Sequence, residues 1–323
     1  MGTILDLWKV IILVVMCVAI SPTVISAQPS TSNRNQSVII LSDDDRAVSK
    51  TLAKHLATNL QLLSNQFSIS IINEKQLPIT DNHSLVVTIG IVPLKKVIAS
   101  GYKGKILATL IAPLDYENLT RDIPPTQSSA IYHQAPILRQ MLLFKELYPK
   151  GRRLGILLTP DEQDKIKLLS ELAFKLNLIL EYEVVAEEES LSKSLLKLIN
   201  RTDAVIATNN AKIYNRNTIK SILLTLYRHN KFLLGADKNF IKPGSVATTY
   251  TSMQQLLDEL VDSINFYFVH GNKLPETHFS KRFGVSFNVD VARSLNLDVK
   301  AESHYTDIIQ ATEINFGEAA IYE

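Results

Sequence analysis

The sequence predicts an α/β protein built from two Rossmann-like, doubly wound parallel-sheet lobes joined by a hinge. Three observations carry this expectation. Short apolar runs alternate with amphipathic helical segments along most of the chain, the signature of strands covered by helices. The alternation restarts after Pro124-Pro125, and one strand–helix unit is left over once two βαβαβ sets are complete. A length of 323 residues holds two domains of ordinary size.

The first apolar run, 38–41, ends in Ser42-Asp43-Asp44-Asp45. Val48, Leu52, Leu56, Leu60 and Leu63 then recur at helical spacing. The acidic cluster is expected to cap that helix and complement its positive dipole end. Strands follow at 67–72 and 85–89, a helix at 94–99 and a strand at 106–111. After the two prolines, a helix at 137–148 leads to an apolar strand at 154–158, which stops at Thr159-Pro160. Ile166, Leu169, Leu172 and Leu176 mark the next helix, 178–185 a strand, and Leu191, Leu195 and Ile199 another helix. A strand at 204–208, a helix with Ile219, Ile222, Leu223 and Leu226, and a strand at 232–235 complete the second set. The last section offers a strand at 245–249 and a long helix bearing Met253, Leu256, Leu257, Leu260, Ile264 and Phe268. It ends with a strand at 283–287 and a short helix at 290–297. The leftover unit implies that the chain crosses back between the lobes. Lobe 1 is then 37–130 plus 250–282, lobe 2 is 131–249 plus 283–300, and 301–323 is a C-terminal tail without an assignable pattern.

Residues 1–27 read as a secretory signal peptide. Lys9 precedes an apolar run at 10–20, Ser21-Pro22 breaks it, and Ala27 offers a small residue for cleavage. The run is shorter than the roughly 18–20 residues that span a bilayer. Residues 28–36 form a polar leader, and the expected location is the periplasm. Cys17, the only cysteine, falls in the signal, so the mature chain would carry no disulfide or thiol chemistry. A net charge of +2 leaves no electrostatic footprint for nucleic acid or an anionic membrane surface. An apolar share of 46% with 20% charged residues is globular composition, not disorder.

In open parallel sheets, ligands bind beyond the carboxyl ends of the strands, at the topological switch point. Those ends carry Ser42 and Asp43, Thr88 and Gly90, Thr159, Thr208-Asn209 and Asp237. These groups hydrogen-bond but supply no nucleophile with its base, which suits polar capture of a small molecule. Each serves equally well as a helix cap, and that alternative stays open. Asp43-Asp44-Asp45 resembles a phosphoacceptor cluster, but 85–90 lacks the Asp and 106–112 the Lys that such a site needs. The seven histidines show no HxH or HxxxH spacing, and the Gly-bearing spacing of a calcium loop is missing. No GxSxG, Walker loop or GxGxxG occurs. The sequence therefore predicts a non-enzyme with no catalytic residue, no cofactor and no metal.

Three segments carry a resemblance to a known family. Gln134-Ala135-Pro136-Ile137-Leu138-Arg139-Gln140 continues to Tyr148-Pro149-Lys150-Gly151-Arg152-Arg153. The second segment is Ile213-Tyr214-Asn215-Arg216-Asn217-Thr218, running on to His229. The third is Phe283 to Leu297, with Val291-Ala292-Arg293-Ser294-Leu295-Asn296-Leu297 at its end. Together they resemble the ABC-transporter substrate-binding proteins that include the tryptophan/tyrosine-type members. The likeness covers the second half of the chain, the first half matching in layout only. It departs at Asn296, where Gly is usual, and after Leu297.

The resemblance implies the periplasmic-binding-protein-like class I fold, two lobes joined by three crossovers that close over a ligand. It implies a small polar solute such as an amino acid, and an ABC permease as partner. A ligand sensor signalling to a membrane partner would use the same clamshell. The chain is expected to act as a monomer. By position, Ser42, Asp43, Thr88 and Gly90 would serve the first lobe, and Tyr132 and Gln134 a crossover. Thr159, Tyr214, Asn215 and Asp237 would serve the second lobe, and Tyr250 the return crossing. Tyr214 and Asn215 lie in the most specific motif. Their structural alternative is packing against the sheet for Tyr214 and helix capping for Asn215. Arg139, Arg152, Arg153 and Arg293 read as solvent-facing or loop-bracing.

Overall fold

The computed structural model describes residues 36–43, 45–64, 67–73, 76–187 and 190–316. The expected signal peptide, Cys17, the leader up to residue 35, Asp44 and the end of the C-terminal tail lie outside the described residues. In chain order the first elements are β1 (Gln36–Ser42), α1 (Ala47–Leu63), β2 (Phe67–Ile72), β3 (Leu85–Ile89) and α2 (Ile91–Ala99). Next come β4 (Lys105–Thr109), α3 (Pro113–Thr120), β5 (Ser128–Tyr132), α4 (Ile137–Leu147), β6 (Arg153–Leu158) and α5 (Lys165–Lys175). They are followed by β7 (Ile179–Val184), α6 (Leu191–Ile199), β8 (Ala204–Ile206), α7 (Ile219–Arg228), β9 (Phe232–Leu234) and β10 (Ala247–Tyr250). The chain ends with α8 (Met253–Val269), β11 (His278–Phe279), β12 (Gly284–Phe287), α9 (Val289–Ser294) and α10 (Glu302–Phe316).

Two six-stranded sheets result, ordered β11-β5-β4-β3-β1-β2 in the first lobe and β12-β10-β9-β8-β6-β7 in the second. Every neighbour in the first sheet is parallel. The second is parallel except at its edge, where β12 runs antiparallel to β10 with Thr248 opposite Ser286. The remaining pairs have the expected parallel direction. β12 enters straight from β11 of the other lobe, so no helical crossover within its own lobe forces a parallel direction. The chain passes between sheets three times, at 133–136, 251–252 and 280–283.

The continuous apolar run Leu85–Ile89 marks a strand buried on both faces. Leu85, Val87 and Ile89 pack with Leu52, Leu56 and Leu60 of α1 and with Leu256, Leu260 and Ile264 of α8. Val86 faces Leu94 and Val97 of α2 on the other side. In the second lobe, Leu154, Ile156 and Leu158 join α4 and α5, while Leu157, Val205 and Leu233 join α6 and α7.

Several elements escape a reading by apolar pattern. β5, Ser-Ser-Ala-Ile-Tyr, is buried at every position yet opens with two serines. α3 and the two-residue β11 also lack an apolar stripe. The expected acidic cap of α1 is not formed. That helix starts after Arg46 without a side-chain cap bond, and Asp43 instead accepts from the Asp45 N–H at 3.0 Å.

The largest addition is α10. Tyr305 and Ile309 enter the second-lobe core, and one turn further on Glu313 accepts from Arg139 Nε at 2.8 Å. Both side chains of this pair are nearly enclosed, at 3% and 7% exposure. Burial pushes the Glu313 carboxyl above its ordinary value, and the Arg139 charge opposes that push. Arg139 also lies 4.1 Å above the Phe283 ring. Arg139 is therefore a core residue, not a solvent-facing one, because α10 brings it a carboxylate. Arg152, Arg153 and Arg293 are exposed.

Candidate functional site

A cavity of about 550 Å³ opens between the lobes, beyond the carboxyl ends of the strands. Its size falls within the usual range for small-molecule sites, about 300–1,000 Å³. The first lobe contributes residues 112–115 and Glu117, at the start of α3, and Phe279 of β11. The second lobe contributes Leu158 at the end of β6, one face of α5, residues 207–210 after β8, and Ala236 after β9. The first crossover, 134–136, and the start of α4 complete the lining.

The second-lobe wall is held by a hydrogen-bonded set. Asn210 donates through Nδ2 to Thr159 Oγ1 at 2.8 Å and to Glu162 Oε2 at 2.6 Å. Glu162 Oε2 also accepts from the Thr159 backbone N–H at 3.2 Å and hydroxyl at 3.0 Å. Thr159 and Glu162 form a capping box on the short 3₁₀ turn Pro160–Glu162, which fixes the entry into α5. Asn210 Oδ1 accepts from the Lys212 N–H at 2.9 Å, so the loop after β8 is anchored to the loop after β6. Thr208 is 8% exposed and lines the cavity, while its hydroxyl is enclosed and has no hydrogen-bond partner among the described residues.

Gln140 ties α4 to β10 beside this wall, and His133 lies nearby in the first crossover. Gln140 lines the cavity and donates through Nε2 to Thr248 Oγ1 at 3.3 Å and to the Thr249 carbonyl at 3.4 Å. Its Oε1 accepts from the Thr249 N–H at 3.4 Å, so α4 is held against β10. His133 sits in the first crossover. Burial holds its imidazole below the ordinary value, and the charge of Asp237 opposes that shift.

The positions expected from sequence divide into three groups. Gln134 lines the cavity, and Thr159 belongs to the set that holds its second-lobe wall. Ser42, Asp43, Thr88 and Gly90 come together at the ends of β1 and β3, outside the cavity lining. There the Asp43 N–H bonds Ile89 O at 3.3 Å and the Gly90 N–H bonds Thr109 O at 2.9 Å, extending the ladder past the strand ends. The Asp43 carboxylate turns back to Asp45 and Arg46. Gly90 has φ 111°, which only glycine adopts without strain.

The third group serves structure around the cavity. Tyr132 is buried between Tyr116 and Phe279, and burial raises its hydroxyl pKa. Asp237 caps the turn Lys238–Phe240 by accepting from the Asn239 N–H at 2.7 Å. Tyr250 receives Lys238, whose Nζ lies 3.2 Å from its hydroxyl. Tyr214 is enclosed in the second-lobe core beside Phe240, its hydroxyl donating to Ile206 O at 3.4 Å, and burial raises its pKa. Asn215 Oδ1 accepts from the N–H groups of Asn217 and Thr218 at 2.9 and 3.2 Å, fixing the turn into α7. This is the packing-and-capping alternative, and neither residue lines the cavity. Glu162, Asn210 and Gln140 went unforeseen. The spacing Thr159-x-x-Glu162 is a capping-box pattern and would have found the first. No local signal marks the other two.

No protein-family model matches the chain, and no curated protein matches it in sequence. Among solved structures it is similar to the ligand-free, open form of a substrate-binding protein with adhesive properties from Clostridium difficile. That likeness has a TM-score of 0.67 and 12% identity, covering 82% of this chain and 96% of the other. It is similar also to an ABC domain in complex with L-Trp from Streptococcus pneumonia, with a TM-score of 0.55 and 14% identity over 82% and 96% of the two chains. A conserved domain protein from Vibrio cholerae gives 0.52 and 13% over 83% and 96%. Likeness at these identities concerns the fold. The chain has two parallel-sheet α/β lobes in the periplasmic-binding-protein-like class I arrangement.

Proposed function

We propose that this chain is an exported solute-binding protein that captures a small molecule between its lobes, serves an ABC importer and performs no catalysis. The observation that carries this reading is the cavity, lined by both lobes and by the first crossover. A ligand touching both walls gains contacts when the lobes approach, so its differential affinity favours the closed form. The hinge would be the three crossovers, with 37–130 plus 250–282 as one moving body. The other would be 131–249 plus 283–300, carrying α10 with it. Gln134, Thr208 and the Thr159–Glu162–Asn210 set would meet the ligand directly or through closure. Ser42, Asp43, Thr88, Gly90, Tyr132, Asp237 and Tyr250 would hold the strand ends around it. Export rests on the reading of residues 1–27 and delivery on an ABC permease partner. Support comes from the fold shared with a substrate-binding protein and with an ABC domain holding L-Trp.

The test is a thermal-shift screen of the mature chain against amino acids, amines, nucleosides, sugars and small anions, followed by calorimetry on the hit. One solute class should stabilise the protein with one-to-one stoichiometry, and cells lacking the chain should lose its uptake. Stabilisation by none of these classes would contradict the reading. Uptake unaffected by loss of the chain, with binding intact, would move the role to signalling.

A further inference from the structure

The charge of the cleft is one-sided. Its lining holds five carboxylates, Asp115 and Glu117 on one wall and Asp161, Glu162 and Asp164 on the other, against the single cation Lys165. Neighbours offset two of them. Asp161 lies 3.3 Å from Lys212, and Glu162 lies 3.9 Å from Lys165. Asp115, Glu117 and Asp164 make no ion pair among the described residues. The surplus is therefore negative and comes from both lobes, so closure brings like charges together unless a positive group lies between them.

Much of the remaining lining is apolar, with Leu138, Leu169 and Phe279 among it. Among the described residues no arginine lines the cleft, and the one lysine is already beside a carboxylate. A ligand carboxylate would meet repulsion there without a cation to compensate its desolvation.

We infer that the cleft selects an organic cation, a primary amine with an apolar body and no carboxylate. The inference rests on the cleft reading above and narrows its ligand class. It sets this chain apart from the protein seen with zwitterionic L-Trp, whose fold it shares.

Two matched series test it by calorimetry on the mature chain: tryptamine, L-tryptophan and indole-3-propionate, and hexylamine, 6-aminohexanoate and hexanoate. In at least one series the amine should bind about tenfold or more tighter than both partners. That margin should shrink as ionic strength rises from about 0.01 M to about 0.5 M. The triple variant Asp115→Asn/Glu117→Gln/Asp164→Asn should lose about tenfold in amine affinity at an unchanged melting temperature, since all three side chains are exposed. Tighter binding of the zwitterion or the acid in both series overturns the charge inference and leaves the cleft reading standing. Amine binding undiminished in the triple variant overturns it by placing the cation elsewhere. Silence from all six probes also overturns it, whereas the cleft reading falls only if the broad screen is silent too.

Discussion

Lobe 1 and lobe 2 carry their six strands in the same spatial order, yet they present different parts of that order to the cleft. In lobe 2 the cavity reaches the switch point, where the loops after β6 and β8 diverge and Thr159, Glu162 and Asn210 bind one another. In lobe 1 the ends of β1 and β3, with Asp43 and Gly90, lie outside the cavity lining, and the wall comes from α3 and β11 instead. The lobes also differ at their outer edges, since α10 covers lobe 2 and inserts a buried ion pair. Topology thus fixes where a site can form, while the loops beyond the strands decide whether it does.

The largest expected effect tests the outer edge. Arg139→Met leaves Glu313 buried without its partner and should cost about 3–5 kcal/mol. Urea unfolding would measure the loss, and hydrogen exchange should place it in lobe 2 alone. The double variant Arg139→Met/Glu313→Leu should recover most of it. Equal loss of protection in both lobes would break the comparison.

The next effect tests the two switch points against each other. Asn210→Ala or Glu162→Ala should weaken binding of the solute found by screening by about 1–3 kcal/mol, or about five- to hundredfold. Ser42→Ala and Thr88→Val should leave affinity within about twofold. Calorimetric titration of the four variants decides the matter, and the reverse ranking would make lobe 1 the dominant wall.

A smaller effect concerns the crossover. The His133 imidazole is held below its ordinary value of 6.5, mainly by burial. The unfolded chain therefore takes up a proton there before the folded one does. Stability should fall as pH drops below about 6.5, with a slope from this group of at most about 1.4 kcal/mol per pH unit. His133→Gln should remove that component of the slope in chemical denaturation between neutral and mildly acidic pH. The smallest effect belongs to Asn215→Ala, which should cost about 1 kcal/mol of stability through the lost cap and leave affinity unchanged.

The fold was legible where burial writes an apolar run or stripe. Leu85–Ile89 and the α8 face are such places, and the structure has both. It was illegible where a polar residue occupies a core position. The α10 stripe runs Tyr305, Ile309, Glu313, and the buried carboxylate hides its period. The serines of β5 do the same. Gln134 and Thr159, expected from a chain crossing and a strand end, lie at the cavity and at its second-lobe wall. Tyr214 and Asn215 belong to a distinctive motif, and in the structure they pack in the core and fix a turn outside the cavity lining, roles that constrain side chains as a ligand does. Asn210 and Gln140 act through partners about 50 and 110 residues away, and such pairings leave no local trace.

The central claim is that a solute draws the two walls together. Spin labels at Asn118→Cys on lobe 1 and Lys212→Cys on lobe 2, in a mature chain lacking Cys17, measure the distance between the walls directly. With the solute found by screening at saturation, the distance distribution should move to shorter values and narrow, and Asn210→Ala should raise the concentration needed for the shift. An unchanged distribution in a chain that calorimetry shows to be fully bound would contradict closure over a ligand in this cleft.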